Sequence, residues 1–180
     1  VENFKEDACL VTMNNKVGLV NLKGDWIAAP MYEDGGSFSG GYAYLAQAGK
    51  YGYVDKAGEF VIPMKYSGAK DFHPVYGLAS VSENGQWGVI DVRGNYVVPA
   101  QFDDVSVTAD GYICAQKDGR YGVFSSSGRE IYPVVCDDID FDPSKALFRF
   151  GVVNARLNDQ RIRIDQQGNA VYQYSLISDN

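Results

Sequence analysis

An acidic segment near the C-terminal end carries the spacing that most resembles metal-binding chemistry. Asp138, Asp140 and Asp142 alternate as the oxygen ligands of a calcium loop do. Pro143 stands where such a loop has glycine, and no glutamate follows to bind the ion through both oxygens. The pair Asp137-Asp138 aligns with two other acidic pairs, Glu33-Asp34 and Asp103-Asp104. We therefore predict an ordinary turn and no metal site, with calcium binding by the three alternating aspartates as the alternative.

Residues for catalysis are scarce. His73 is the only histidine, so a histidine-based zinc site or a Ser-His-Asp triad has at most one imidazole available. The cysteines Cys9, Cys114 and Cys136 are odd in number and match no metal-binding spacing, which favours small buried hydrophobic residues. No pair of carboxylates in an apolar setting stands out, as glycoside hydrolysis would require. We predict that the chain is not an enzyme and has no cofactor.

Composition narrows the class of partner. The 180 residues are 46% hydrophobic and 13% aromatic, enough to build a sizeable core. The net charge of −7 provides no basic stripe to meet phosphates, so we predict no nucleic-acid partner. No apolar run approaches the roughly 20 residues of a membrane-spanning helix, so we predict no membrane insertion.

Five segments of the chain share one pattern. They are Val17–Asn21, Tyr51–Asp55, Trp87–Asp91, Tyr121–Ser125 and Arg161–Asp165. Each is followed three residues later by a glycine, namely Gly24, Gly58, Gly94, Gly128 and Gly168. The intervals between these glycines are 34, 36, 34 and 40 residues, which indicates a tandem repeat.

The turn in each repeat is specified by its first and fourth residues. A type I turn favours Asp, Asn or Ser first and glycine fourth, where the backbone needs a positive φ. Asn21 and Ser125 begin two of these turns. The other turn residues that we predict to be structural come from repeats two to five: Asp55, Gly58, Asp91, Gly94, Gly128, Asp165 and Gly168. A strand returns after each turn, and we predict that a proline closes the first four: Pro30, Pro63, Pro99 and Pro133.

A third strand precedes each hairpin. Two-residue turns such as Asn84-Gly85 and Asp118-Gly119 lead from it into the next strand. We therefore predict an all-β chain of about five three-stranded antiparallel meanders and no helix longer than a single turn. The predicted repeats form one array over residues 1–180, with approximate bounds 1–34, 35–67, 68–103, 104–140 and 141–180.

The repeated residues resemble the WG-repeat family, also called the KWG repeat. Lys50–Gly58 followed by Val61–Tyr66 has its pattern, and Trp87-Gly88 is its namesake dipeptide. The resemblance covers nearly the whole chain, although the fifth repeat has Ile162 in place of the strand glycine. It implies a bacterial protein with an array of variable copy number and an interaction role, and it supplies no catalytic residues.

The fifth repeat bears on whether the array is open or closed. Its strand presents Arg161 and Arg163 on the face where the middle repeats have aromatic and apolar residues. A polar outer face is what a terminal capping repeat needs. We therefore favour an open, solenoid-like stack, and a closed small β-propeller is the alternative.

Aromatic residues are the remaining candidates for binding. Those that recur with the repeat are predicted to be core: Tyr51, Trp87, Tyr121, Tyr32, Tyr66 and Phe102. Tyr42, Tyr44 and Tyr76 do not recur, so we expect them to be exposed and to form the candidate ligand-binding set. We predict a non-enzymatic module that presents an extended surface to a protein partner. The alternative is a carbohydrate- or cell-envelope-binding module that uses exposed tyrosines.

Overall fold

The computed structural model describes residues 4–172, and these form nineteen β-strands in five antiparallel sheets. No helix occurs among the described residues. No described segment is therefore a helix that could cross a lipid bilayer. The chain divides into two compact units, an N-terminal unit of residues 1–101 and a C-terminal unit of residues 102–180. The prediction of an all-β chain is confirmed over this range.

The first three sheets follow one another along the chain. Sheet 1 consists of β1 (Ala8–Met13), β2 (Lys16–Asn21) and β3 (Trp26–Tyr32). Sheet 2 consists of β4 (Asp34–Gly35), β5 (Ala43–Gln47), β6 (Lys50–Val54) and β7 (Phe60–Tyr66). Sheet 3 consists of β8 (Gly68–Ala69), β9 (Leu78–Glu83), β10 (Gln86–Asp91) and β11 (Tyr96–Phe102). Strands adjacent in sequence are neighbours in each sheet, as in a meander.

The other two sheets have the same order. Sheet 4 consists of β12 (Asp104–Val107), β13 (Ile113–Lys117), β14 (Arg120–Phe124) and β15 (Glu130–Cys136). Sheet 5 consists of β16 (Asp138–Ile139), β17 (Val152–Leu157), β18 (Gln160–Asp165) and β19 (Ala170–Tyr172). Each sheet remains open, with a strand at either edge.

The prediction of three-stranded repeats is wrong for four of the five sheets. Sheets 2 to 5 begin with an additional strand, β4, β8, β12 or β16, of two to four residues. Each of these strands starts two residues after the long last strand of the preceding sheet ends. Three of these strands have only two residues, too few to show the alternation of polar and apolar side chains that reveals a strand in sequence, and β12 has only four.

The turn after the second long strand of each sheet has the geometry expected of its sequence. In sheet 2 the N–H of Gly58 donates to the carbonyl of Asp55 over 3.0 Å. The Asp55 Oδ1 atom accepts the N–H groups of Ala57 and Glu59 at 2.9 and 3.0 Å. All five turn glycines have φ between 80° and 90°. Aspartate thus caps the turn while glycine supplies its left-handed conformation.

The prolines do not close their strands. The last strands of sheets 1 to 4 continue beyond the proline to Tyr32, Tyr66, Phe102 and Cys136. In sheet 2, Tyr51 pairs with Tyr66 and Tyr53 pairs with Ile62, so three residues of β7 lie opposite Gly52 alone. Residues in such a bulge are outside the ladder, so proline costs no ladder hydrogen bond there.

The bulge explains why the facing strand has glycine. A Cβ atom on Gly52 would lie 2.7 Å from the Ile62 carbonyl oxygen and 2.8 Å from the Met64 nitrogen. In sheet 5 the corresponding residue is Ile162, and it pairs regularly with Tyr172 in a strand that has no proline. The strand glycine and the proline therefore occur together because both serve the same bulge.

Each unit has its own hydrophobic core. In the N-terminal unit one cluster surrounds Leu19 and Leu45, and another surrounds Tyr53 and Ile90. In the C-terminal unit one cluster takes residues from both sheets. It includes Cys114 and Cys136, which with Cys9 are buried free thiols, and burial raises the pKa of the Cys114 thiol to about 12. The cysteines are thus core residues, as predicted.

Two buried tyrosines of the second cluster differ in their hydrogen bonding. The Tyr53 hydroxyl donates to the Lys70 carbonyl over 2.8 Å, whereas the Tyr66 hydroxyl has no hydrogen-bond partner among the described residues. We expect Tyr66→Phe to raise the free energy of unfolding by about 1 kcal/mol, because an unsatisfied buried hydroxyl is removed. Tyr53→Phe is the matched control and should lower it by about 1 kcal/mol. Urea denaturation followed by circular dichroism measures both, and equal effects of the two variants would contradict the prediction.

Candidate binding surfaces

Three large aromatic residues are exposed at equivalent positions of the first three sheets. Trp26, Phe60 and Tyr96 are the first residues of β3, β7 and β11, and 45%, 39% and 38% of their surfaces are accessible. Each of these strands is an edge of its sheet. We call these three residues the outer aromatic row.

Ring contacts between neighbouring sheets hold two members of this row in place. Phe60 lies with its ring centroid 6.2 Å from that of Tyr32, and Tyr96 lies 6.4 Å from Tyr66 in an edge-to-face arrangement. The Tyr96 hydroxyl also donates to the Glu83 carboxylate over 2.8 Å. Burial and this hydrogen bond raise the pKa of Tyr96. The rings of Phe60 and Tyr96 are therefore held in fixed orientations by contacts within the protein.

The three candidate tyrosines are not brought together as one exposed set. Tyr42 and Tyr44 are half-buried, with ring centroids 5.3 Å from Phe72 and 5.9 Å from Tyr51 respectively. The expectation that these two are exposed is wrong, because both pack against the second core cluster of the N-terminal unit. Tyr76 is 40% exposed and lies in a loop.

The loop that carries Tyr76 is shaped by His73. The His73 Nδ1 atom accepts the N–H groups of Val75 and Tyr76, each at 3.3 Å, and the His73 and Tyr76 rings lie 5.0 Å apart. Burial lowers the pKa of His73. The imidazole is thus a loop-forming group.

The recurring aromatic residues divide into two kinds. Tyr66 and Phe102 are buried, which confirms their prediction as core. Tyr32, Tyr51, Trp87 and Tyr121 are only half-buried. The Tyr51 hydroxyl donates to Asp34 over 3.1 Å. Burial, and to a smaller extent this hydrogen bond, raise the pKa of Tyr51.

Acidic residues that precede the short first strands have a structural role. Carboxylates of Glu33, Asp103 and Asp137 accept backbone N–H groups of the two-residue turns in sheets 2, 4 and 5. The donors lie at 3.3 Å (Gly49), 2.7 Å (Asp118) and 3.0 Å (Asp159). The first residue of each acidic pair is therefore part of the sheet scaffold, as the alignment of the pairs indicated.

The alternating aspartates do not converge. Asp142 binds Lys145 at 2.7 Å and the Ser144 hydroxyl at 2.7 Å, and these contacts hold its pKa well below the usual range. Asp138 and Asp140 instead line a cavity on sheet 5. Among residues 4–172, no three His, Cys, Asp or Glu side chains come together as metal ligands would. The calcium alternative therefore lacks its third ligand.

This sheet 5 cavity is the second candidate surface. Its volume is about 450 Å³. The polar side chains that line it are Asp138, Asp140, Asn154, Arg156, Arg161 and Arg163. They form two rows across the sheet. In the first row, Asp138 of β16 pairs with Arg156 of β17, which pairs with Arg161 of β18. In the second row, Asn154 of β17 pairs with Arg163 of β18.

The same row has a different chemistry in the preceding sheets. In place of Arg156 and Arg161, sheet 2 has Ala46 and Tyr51, sheet 3 has Ser82 and Trp87, and sheet 4 has Gln116 and Tyr121. The sequence pattern predicts Arg161 and Arg163 on this face of the sheet, but it does not predict Arg156 and Asn154 there. Aligning the strand that precedes each repeated segment would have revealed them.

The chain is similar to a known family of repeat sequences. A sequence model described as WG containing repeat matches residues 18–51, 51–87 and 87–121, more than half of the chain. The matched segments begin near the strand glycine or the aromatic residue before it, the positions governed by the bulge. No curated protein sequence matches the chain significantly.

Solved structures share the fold at low sequence identity. A crystal structure of a eukaryotic initiation factor is 12% identical, with a TM-score of 0.57 over 98% of this chain and 54% of that one. The structure of KlHsv2 with loop 6CD replaced by a Gly-Ser linker is 14% identical, with a TM-score of 0.52 over 94% and 63%. This chain thus spans less than two thirds of either protein, and these neighbours are β-propeller-like. The three consecutive sequence matches show that the chain belongs to the WG-repeat family.

Proposed function

We propose that the chain is a non-enzymatic binding module that presents an extended surface to a protein partner through its outer aromatic row. The observation that carries this proposal is the exposure of Trp26, Phe60 and Tyr96 at one position of three successive sheets. Exposed Trp and Tyr residues are the types that dominate the binding energy of protein interfaces. Prolines in the same strands discourage pairing of their edges, which leaves the side chains to make the contact.

We also propose that all five sheets are WG repeats, including the parts of the chain outside residues 18–121. The turn geometry supports this, because the same Asx or Ser cap and left-handed glycine recur in every sheet. The polar face of sheet 5, with Arg161 and Arg163, supports an open array. The likeness to propeller-like structures supports the alternative of a closed ring, and small-angle X-ray scattering distinguishes an elongated particle from a round one.

Carbohydrate binding is the alternative function, because aromatic rings also stack on sugar rings. A glycan array combined with affinity capture from a lysate of the source organism separates the two. The expected result is a captured protein whose purified form binds wild-type chain in calorimetry and binds Phe60→Ser at least about tenfold more weakly.

Phe150→Ser is the matched control for this experiment. Phe150 is a fully exposed aromatic residue outside the row, so its replacement should leave partner binding unchanged. Circular dichroism checks that both variants fold. Glycan binding that is abolished by replacing Tyr76 or the row residues, without any partner sensitive to Phe60→Ser, would overturn the proposal of a protein partner.

A further inference from the structure

We infer that the sheet 5 cavity binds carboxylate side chains of an acidic peptide segment, with Arg156 and Arg161 as the paired donors. This site is separate from the outer aromatic row, and the inference does not depend on that row being an interface. It rests on three properties of the cavity: the placement of its arginines, its charge, and its size.

The two arginines are directly opposed across β17 and β18. Arg156 and Arg161 are partners in the strand register, and both side chains line the cavity. Like charges at such a position destabilise a sheet, and sheets 2, 3 and 4 have a small or amide residue beside an aromatic one there. Neither guanidinium forms an ion pair with any described residue. An anion bound between them removes the repulsion that the sheet otherwise retains.

The charge of the cavity favours the carboxylates of a peptide over a run of phosphates. Three arginines and two aspartates line it, so its formal charge is 3 − 2 = +1 in a chain whose net charge is −7. A guanidinium binds a carboxylate through two parallel hydrogen bonds. Asp138 and Asp140 would repel a dense run of phosphates, whereas they can accept N–H groups of a peptide backbone. A peptide with acidic side chains supplies both carboxylates and backbone N–H groups, so it satisfies both signs of charge.

The size of the cavity also suits a peptide segment. Its volume of about 450 Å³ compares with about 110 Å³ at the corresponding face of sheet 4. That smaller depression is lined by Asp104, Gln116 and Tyr121, and Phe141 from the next connection lies against it. Pockets that hold a ligand group typically measure about 300 to 1,000 Å³, so the sheet 5 cavity has room for one or two side chains.

Fluorescence anisotropy with fluorescein-labelled hexaglutamate tests the inference on the full chain. We expect saturable binding that weakens as salt is added, and at least about tenfold weaker binding of hexaglutamine, because hydrogen bonds between charged groups are lost. Arg156→Gln and Arg161→Gln should each weaken hexaglutamate binding at least about tenfold. Arg129→Gln is the matched control: it removes the same charge from an exposed position outside the cavity and should change binding less than about twofold.

Competition and stability measurements complete the test. Arg161→Gln should not melt at a lower temperature than the wild type, because it relieves the like-charge contact with Arg156 in the sheet. Wild-type chain that does not bind hexaglutamate, arginine variants that bind it unchanged, or equal binding of hexaglutamine would overturn the inference. Displacement by inorganic phosphate at lower concentrations than by free acidic peptide would likewise overturn it, in favour of a phosphate site.

Discussion

Gly88→Ala is expected to lower the free energy of unfolding by about 3 kcal/mol, because the added methyl group overpacks a close backbone contact. The added Cβ would lie 2.6 Å from both the Val98 carbonyl oxygen and the Ala100 nitrogen. Both are backbone atoms of β11, so neither can turn aside as a flexible side chain could. Urea denaturation followed by circular dichroism measures the change.

Gly85→Ala is the matched control, because Gly85 lies in the turn that leads into the same strand. Its φ is 81°, and a Cβ there would meet no atom within 4 Å. Its loss should be limited to the conformational cost of an alanine at positive φ, about 1 kcal/mol. Equal destabilisation by the two variants would show that the close approach at Gly88 does not govern stability.

Gly58→Ala is expected to destabilise the chain by about 2 kcal/mol more than Gly94→Ala. Both glycines end the same type of turn, with φ of 84° and 80°, so an alanine has a similar conformational cost in each. A Cβ on Gly58 would come within 2.2 Å of the Ile27 carbonyl oxygen, whereas on Gly94 its nearest contacts are 3.5 Å away in the Ile62 side chain. The difference between the two variants therefore isolates the contact between the turn and the preceding sheet.

Gly168→Ala extends this comparison to the C-terminal unit. A Cβ on Gly168 would lie 2.1 Å from the Ile131 carbonyl oxygen, so this variant should resemble Gly58→Ala. Denaturation of the three variants under the same conditions provides the ranking. If Gly94→Ala lowered the free energy of unfolding as much as the other two variants, the positive φ alone would account for the requirement for glycine. Close packing against the preceding sheet would then contribute little to stability.

These contacts give each glycine of the repeat its own reason. The strand glycine faces a bulge, and the turn glycine both adopts a positive φ and, in sheets 2 and 5, lies against the strand of the preceding sheet. In sheet 5 the strand glycine and the proline are both absent, and the turn glycine remains. A search for divergent copies of this repeat should therefore weight the turn glycine more than the strand glycine.

The sequence was sufficient for features that depend on neighbouring residues. An Asp, Asn or Ser followed three residues later by glycine defines a turn through bonds within five residues, so Asp55 and Gly58 could be recognised without any knowledge of the fold. The long strands around these turns follow from segments that recur in each repeat, such as Tyr51–Asp55 and Trp87–Asp91. The all-β class and the repeat period were predictable for this reason.

Tertiary structure decided the features that depend on residues far apart in the chain. The bulge opposite Gly52 and the four short first strands arise from pairing between strands. Because this pairing is not visible in the sequence, the sequence predicts a strand end at each proline and only three strands in each sheet. Tyr42 and Tyr44 are half-buried because Phe72 and Tyr51 pack against them, which their irregular spacing could not indicate. The alternating aspartates likewise have different partners: Asp142 forms an ion pair with Lys145, whereas Asp138 is paired with Arg156 on the neighbouring strand. Local chemistry thus determines the turns of this protein, and pairing between strands determines which of its side chains are exposed.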